Sequence, residues 1–222
     1  MTLSYHGHST FKIRGSRGTV VTDPYDSSIG LSLPGLSADI VTSSHDHADH
    51  NAVERIGNTT RRDAPFIIKK PGEYEVGGIS VFGISVYHDD VKGAERGTNT
   101  IYTIFIDDVR ICHLGDLGHE LSAQQLDAIG RVDVLLCPVG GVYTIDPQTA
   151  VKVIHSLEPG IVIPMHYKTA KHNPATFSEL ADIPEFLKAY GSEVEPVTKL
   201  DLSPSNIPEE TELVVLTESF KD

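Results

Sequence analysis

Cysteine is scarce in this chain of 222 residues: there are two, Cys112 and Cys137, and no C-x-x-C spacing joins them. Both sit inside apolar runs, Val109-Arg110-Ile111-Cys112 and Val134-Leu135-Leu136-Cys137. They read as buried free thiols in a reducing compartment, which argues against a disulfide framework or a redox pair. Cations are also in short supply. Eighteen Lys and Arg against 31 Asp and Glu leave a formal charge of −13. An acidic surface repels phosphate backbones, so a broad nucleic-acid groove is not expected. No apolar stretch reaches the length of a bilayer. The first residues, Met1 to His6, lack the basic and apolar regions of a secretory leader. A cytoplasmic protein acting on a small molecule, with no membrane partner, is the expectation. No low-complexity linker or short repeat breaks the chain, which suits a single domain over residues 1–222. Oligomeric state is not legible.

Histidine, by contrast, is plentiful, with 11 residues gathered into a few motifs. The densest is His45-Asp46-His47-Ala48-Asp49-His50, which follows the apolar run Asp39-Ile40-Val41-Thr42. Imidazole and carboxylate are the donors that a borderline metal such as zinc prefers. If this segment is an extended strand end, His45, His47 and Asp49 face one side and His50 the other. One short loop would then serve two adjacent metals.

The first half of the chain reads as short strands: Phe11–Ile13, Thr19–Thr22, Ile40–Thr42, Phe66–Ile68, Ile79–Tyr87, Thr100–Ile106 and Val109–Cys112. Asp107-Asp108 makes a tight hairpin turn between the last two. Helices are expected later, over Leu121–Ile129, from Asp146-Pro147 through Leu157, and over Ser178–Tyr190. Strands Asp133–Cys137 and Ile161–Pro164 flank the middle helix, residues 196–210 read as a loop, and Glu212–Thr217 as a closing strand. A β-rich half followed by mixed β and α implies packed sheets flanked by helices.

More candidate donors fall at strand ends, where scaffolds usually present reactive groups. Asp23 follows Thr19–Thr22, His88 follows the run from Ile79, Asp116 follows Val109–Cys112, and His166 follows Ile161–Pro164. Singly, each is a common turn or structural residue. Together with the H-x-H-x-D-H run they resemble the metallo-β-lactamase-fold hydrolase superfamily, in the same motif order, over residues 4 to about 168. The runs Pro71-Gly72-Glu73-Tyr74, Gly115-Asp116-Leu117-Gly118-His119 and Pro164-Met165-His166-Tyr167 are similar to the small stand-alone branch of ascorbate-phosphate lactonase-like proteins.

The resemblance implies an α+β fold, a four-layer αββα sandwich with metals at one edge of the two sheets. It implies one metal on His45, His47 and His88, a second on Asp49, His50 and His166, and Asp116 bridging both. Asp23 would orient a ligand rather than bind metal, and His8 is given a similar supporting part. His113 and His119 compete with His88 for the first metal. Two divalent ions flanking one water would bring its pKa from about 15.7 toward about 7, with Asp49 as proton acceptor and Asp116 between the metals. Zinc is favoured, and manganese or iron suit the same donors. The implied activity is hydrolysis of a small polar ester, lactone or phosphoester. The alternatives are a phosphodiesterase or nuclease, or a non-catalytic metal-binding module. Tyr167, Lys168 and His172 beyond the last motif, and His119 near the mouth, are candidates for substrate contact. Gly140-Gly141 requires unusual backbone angles but lacks the Lys-Ser/Thr of a phosphate loop.

Overall fold

Val20 and Val21 are neighbours on one strand, yet both are fully buried, and in different apolar clusters. Ile40 and Val41 repeat the arrangement on the adjacent strand. Successive strand side chains point to opposite faces, so this sheet is covered on both sides. That layering organises the computed structural model, which describes residues 1–220.

The strands are, in order, β1 (Thr2–Tyr5), β2 (Phe11–Arg14), β3 (Thr19–Thr22), β4 (Ser37–Ala38), β5 (Ile40–Thr42), β6 (Gly57–Asn58) and β7 (Phe66–Ile68). They continue with β8 (Gly72–Val76), β9 (Ile79–Tyr87), β10 (Thr98–Ile106), β11 (Val109–His113), β12 (Val134–Pro138), β13 (Ile161–Met165), β14 (Leu200–Asp201) and β15 (Glu212–Leu213). The helices are α1 (Ala123–Ile129), α2 (Pro147–Leu157), α3 (Pro174–Phe177) and α4 (Ile183–Tyr190). One sheet runs β14-β1-β2-β3-β5-β7 and the other β15-β13-β12-β11-β10-β9-β8, while β4 pairs only with β6.

Direction within each sheet decides what its edge can carry. β1 and β3 both run antiparallel to β2, and β5 is parallel to β3. β9 and β11 both run antiparallel to β10, and β12 and β13 are parallel to β11. The segments after β1, β3 and β5 therefore leave one edge of the first sheet, and those after β9, β11 and β13 leave one edge of the second.

The larger core lies between the sheets, with Leu3, Phe11 and Ile13 on one side and Ile104, Leu136 and Ile163 among those opposing them. On the outer face of the second sheet, α2 packs on β12 and on α4. It buries Ala150, Val153, Ile154 and Leu157; full burial of such a Val, Leu or Ile is worth about 1.5–3 kcal/mol. On the outer face of the first sheet, 3-10 turns at Ser27–Ile29 and Val53–Arg55 and the short α3 form a thinner layer over Val21 and Val41. The architecture is the expected αββα sandwich.

Asp107 and Asp108 both hold positive φ, 51° and 60°, and close the β10–β11 hairpin as expected. α2 begins after Asp146, whose side chain accepts from Thr149 N at 2.7 Å. Three expectations need correction. The last helix starts at Ile183 rather than Ser178, because Asp182 caps it by accepting from Glu185 N. The segment 196–210 contains β14, which pairs with β1. The closing strand is confined to Glu212–Leu213, with Leu216 contributing an isolated bridge to Val197. Among the described residues no helix is long and apolar enough to cross a membrane.

Candidate metal centre

Each site motif leaves the C-terminal end of a strand through a sharp turn. Asp23, directly after β3, has φ 40°, and His166, directly after β13, has φ 53°. His8, shortly after β1, also has φ 53°. Left-handed backbone is uncommon for residues other than glycine, costs of order 1 kcal/mol or more, and gathers at functional sites. Gly140 allows the turn at His166: a Cβ there would strike the His166 carbonyl oxygen. Its neighbour Gly141 holds φ 65°. The Gly140-Gly141 pair therefore backs a site residue.

Asp116 lies at the centre. Its Oδ2 is 3.2 Å from His50 Nε2, 3.2 Å from His166 Nε2, 3.3 Å from His88 Nε2 and 3.8 Å from His45 Nε2. Donor atoms group within 4.8 Å of one another in three overlapping sets: His45, His47 and His88; His8, Asp49, His50 and His166; and His45, His50 and Asp116. The segment after β5 is a series of bends and turns, not an extended strand end. The strict alternation expected for it fails, and Asp49 faces the same group as His50.

The surrounding hydrogen bonds fix how these rings present themselves. Asp23 is buried and accepts from Ser44 N at 2.9 Å and Ser44 Oγ at 2.5 Å. His50 Nδ1 lies 2.8 Å from its Oδ2. Burial alone would raise the Asp23 pKa, but His113, His50 and Ser44 outweigh it and hold the group below the usual range. A carboxylate there requires Nδ1–H on His50, which turns the Nε2 lone pair toward Asp116. His8 Nε2 is 3.1 Å from Asp49 Oδ2. Burial, helped by His166, pushes the His8 pKa down to about 3, and burial with His50 pushes His45 to about 3. Both rings are neutral at neutral pH, the form that donates to metals.

The donor set fits cations. Asp23, Asp49 and Asp116 form a group of carboxylates, and no Lys or Arg among the described residues forms a salt bridge with any of them. His50 Nε2, His166 Nε2 and Asp116 Oδ1 are buried without any hydrogen-bond partner. Buried polar atoms seldom go unpaired, because each one costs free energy. Unpartnered buried polar atoms beside three carboxylates that no Lys or Arg neutralises are what a bound divalent ion would satisfy.

The competing histidines are otherwise engaged. His113 Nε2 is 2.9 Å from Ser9 O, and its Nδ1 accepts from Gly115 N at 3.1 Å. His119 Nε2 accepts from Tyr87 N at 3.2 Å and its Nδ1 donates to Glu120 O at 2.7 Å. Two candidate substrate contacts are displaced. Tyr167 is buried in the main core with its ring against Tyr5, so it does not face the mouth. Lys168 turns to Ser178, donating to its carbonyl at 3.0 Å. His119 does line a cleft beside His88. His172 is buried, its ring packed on His8 and Phe177. Sequence reasoning missed Arg96, Tyr143, Thr176 and Phe177, which join His47, Asp49, His88 and Asp116 around a cleft of about 290 Å³. None of the four belongs to a motif, and only an excess of cationic residues near the site, in so acidic a chain, could have marked Arg96.

Residues 2–166 match the family model described as the beta-lactamase superfamily domain. The chain belongs to that superfamily. Among its relatives, a "UPF0173 metal-dependent hydrolase" of Methanoculleus marisnigri is 34% identical, covering 76% of this chain and 82% of its own length. One of the same name from Thermoplasma volcanium is 29% identical over 81% of this chain and 90% of its own. A crystal structure from Thermotoga maritima, of a provisionally named Zn-dependent hydrolase of the metallo-beta-lactamase superfamily, is 34% identical. It covers 97% of both chains with a TM-score of 0.78. The superfamily fold therefore holds for this chain over nearly its whole length.

Proposed function

We propose that this superfamily member is a metal-dependent hydrolase with two divalent cations, acting on a small polar ester, lactone or phosphoester. The observation that carries the reading is the convergence of His45, His50, His88 and His166 on Asp116 Oδ2, with buried lone pairs left unpartnered. His45, His47 and His88 would hold one cation, Asp49, His50 and His166 the other, and Asp116 would lie between them. The names of the relatives support metal-dependent hydrolysis. The all imidazole–carboxylate donor set, with both thiols buried in the core, suits zinc, manganese or iron; zinc is favoured by the Thermotoga relative.

Bound cations there would supply a water acidified toward neutral pH and a Lewis acid for the developing oxyanion. The chain supplies the rest. Asp49 borders the cleft and is the group placed to take a proton from the attacking water. His8 donates Nε2–H to Asp49 Oδ2 and fixes its orientation. Asp23 does the same for His50 through Nδ1. Phe177 and Tyr143 wall the cleft with apolar surface.

The test is metal identity and stoichiometry per chain, by mass spectrometry of protein purified without added metal or chelator. About two divalent ions per chain are expected, followed by turnover of lactones, esters or phosphoesters with that metal. Failure to retain any metal after reconstitution would overturn the proposal.

A further inference from the structure

In a chain of net charge −13, one arginine borders three clefts around the proposed metal centre. Arg96 lines the cleft holding His47, Asp49, His88 and Asp116. It lines a second, of about 370 Å³, with His45, His47, Lys69 and Lys70. It also lines a third with His88 and His119. Its guanidinium sits 5.8 Å from the centroid of the Tyr143 ring. Among the described residues its one ionic contact is Nη1 to Glu95 Oε2 at 3.5 Å, on a side chain 66% exposed; such surface pairs contribute little. A guanidinium carries five donors in a planar fork suited to oxyanions. Among the described residues, those of Arg96 make no side-chain hydrogen bond beyond that loose pair.

The loop that carries Arg96 is built, not slack. Asp89, the residue after His88, is buried, and its carboxylate accepts from four backbone N–H groups. Oδ1 takes Val91 N at 3.0 Å and Gly93 N at 2.6 Å, and Oδ2 takes Glu95 N at 3.0 Å and Arg96 N at 2.8 Å. His88 N donates to Gly97 O at 3.1 Å and closes the loop at its base. The position of Arg96 is thereby tied to that of His88. The surrounding charge is asymmetric. The His119 cleft carries Asp89, Asp90, Glu120 and Asp146, whereas the His45/His47 cleft carries Lys69 and Lys70 beside Arg96 and only Asp46 as acid.

We propose that loop Asp89–Gly97 is an anion-binding element: the substrate bears a carboxylate or phosphate group outside the scissile bond, held by Arg96 on the Lys69/Lys70 side. This rests on the hydrolase reading and narrows its substrate class to anionic esters and lactones. Asp89 is a positioning residue that acts through the loop.

The experiment compares kcat/KM of the metal-loaded protein on mono-4-nitrophenyl succinate and on 4-nitrophenyl butyrate. Wild type should prefer the charged ester. Arg96→Gln should lower the charged-to-neutral ratio about 10–100-fold, the scale of one lost charge-assisted contact. Arg96→Lys should restore part of it. Asp89→Ala should raise KM for the charged ester more than it lowers kcat. Lys188→Gln, the same charge change on α4, should leave the ratio as it is. A ratio unmoved by Arg96→Gln, or moved as far by Lys188→Gln, overturns the proposal. If neither ester is hydrolysed, the scissile bond is of another kind, and calorimetry with succinate and inorganic phosphate decides the anion element independently of turnover. Weaker binding of either in Arg96→Gln upholds it and shows which group it takes, and equal binding of both to wild type and variant overturns it.

Discussion

Asp23 grips His50 from behind: Oδ2 lies 2.8 Å from Nδ1, and neither side chain is exposed to solvent. The contact sets which nitrogen of His50 carries the proton. Asp23→Asn keeps the shape but presents an amide that can donate to Nδ1, driving the proton to Nε2, where a metal needs a lone pair. Metal affinity should fall about 10–100-fold, the usual effect of losing such a partner. Competition against a chromogenic chelator measures it, and an unchanged affinity would remove Asp23 from this part.

Asp116 and His6 make a contrasting pair. Asp116→Ala removes the carboxylate around which four imidazoles gather, and both cations or most of the turnover should be lost. His6 is engaged elsewhere, with Nδ1 2.8 Å from Ser219 O and Nε2 3.1 Å from Ser4 Oγ, so His6→Ala should keep both ions. Metal analysis of the two purified variants tests this. Wild-type content and turnover in Asp116→Ala would show the bridging assignment to be wrong.

At alkaline pH the fold should loosen from its tyrosines. Burial pushes the Tyr5, Tyr25, Tyr102 and Tyr167 hydroxyls above their ordinary 10.0, with the nearby Glu218 adding to the effect on Tyr5, Tyr25 and Tyr167. Burial also pushes the Cys112 thiol from 9.0 up to about 12. Raised groups keep their protons in the folded state while the unfolded chain has already lost them. Their contribution is therefore fully present below pH 9–10 and is lost as pH rises through the folded values. Absorbance at 295 nm should show four of the chain's eight tyrosines withheld until ellipticity collapses. Smooth ionisation of all eight in folded protein would contradict their burial.

Asp182→Ala should cost about 1 kcal/mol, because the Asp182 side chain caps α4 by accepting from Glu185 N at 3.1 Å. Urea unfolding of the metal-loaded protein measures the loss. A smaller effect, within a few tenths, would mean that packing of Phe186 alone holds the helix end.

Elements with strong local signals were legible in the sequence. The Asp146-Pro147 start of α2, the Asp107-Asp108 turn and the β-branched strands need few distant partners to be recognised. The motif order carried the fold. Harder cases depend on contacts made across the chain. β14 is two residues whose only pairing is with β1, and no local pattern announces it. The late start of α4 was readable in principle, since Asp182-Ile183-Pro184 repeats the Asp-then-Pro signal seen at α2, but the upstream Ser178–Ala181 blurred it. At the centre, strand-end positions identified which histidines and aspartates converge. The hydrogen bonds that tie up His113 and His119 are to backbone groups brought near only by folding, so their exclusion could not be read from spacing. The burial of Tyr167 and the reach of Arg96 are tertiary in the same way.

Nothing covalent staples the two sheets together; Cys112 and Cys137 are free thiols, both on strands of the second sheet. Yet His8, Asp23 and His45 to His50 hang from the first sheet, and His88, Asp116 and His166 from the second. A cation held between them would be a cross-link, closing most of the chain into a loop. An ion that binds only the folded form adds stability by mass action, about 4.1 kcal/mol at 1,000 times its dissociation constant. For a domain whose total margin is about 5–15 kcal/mol, that share is large. A cell starved of the metal would then lose this protein to degradation as well as to inactivity, and abundance, not only turnover, would follow metal supply.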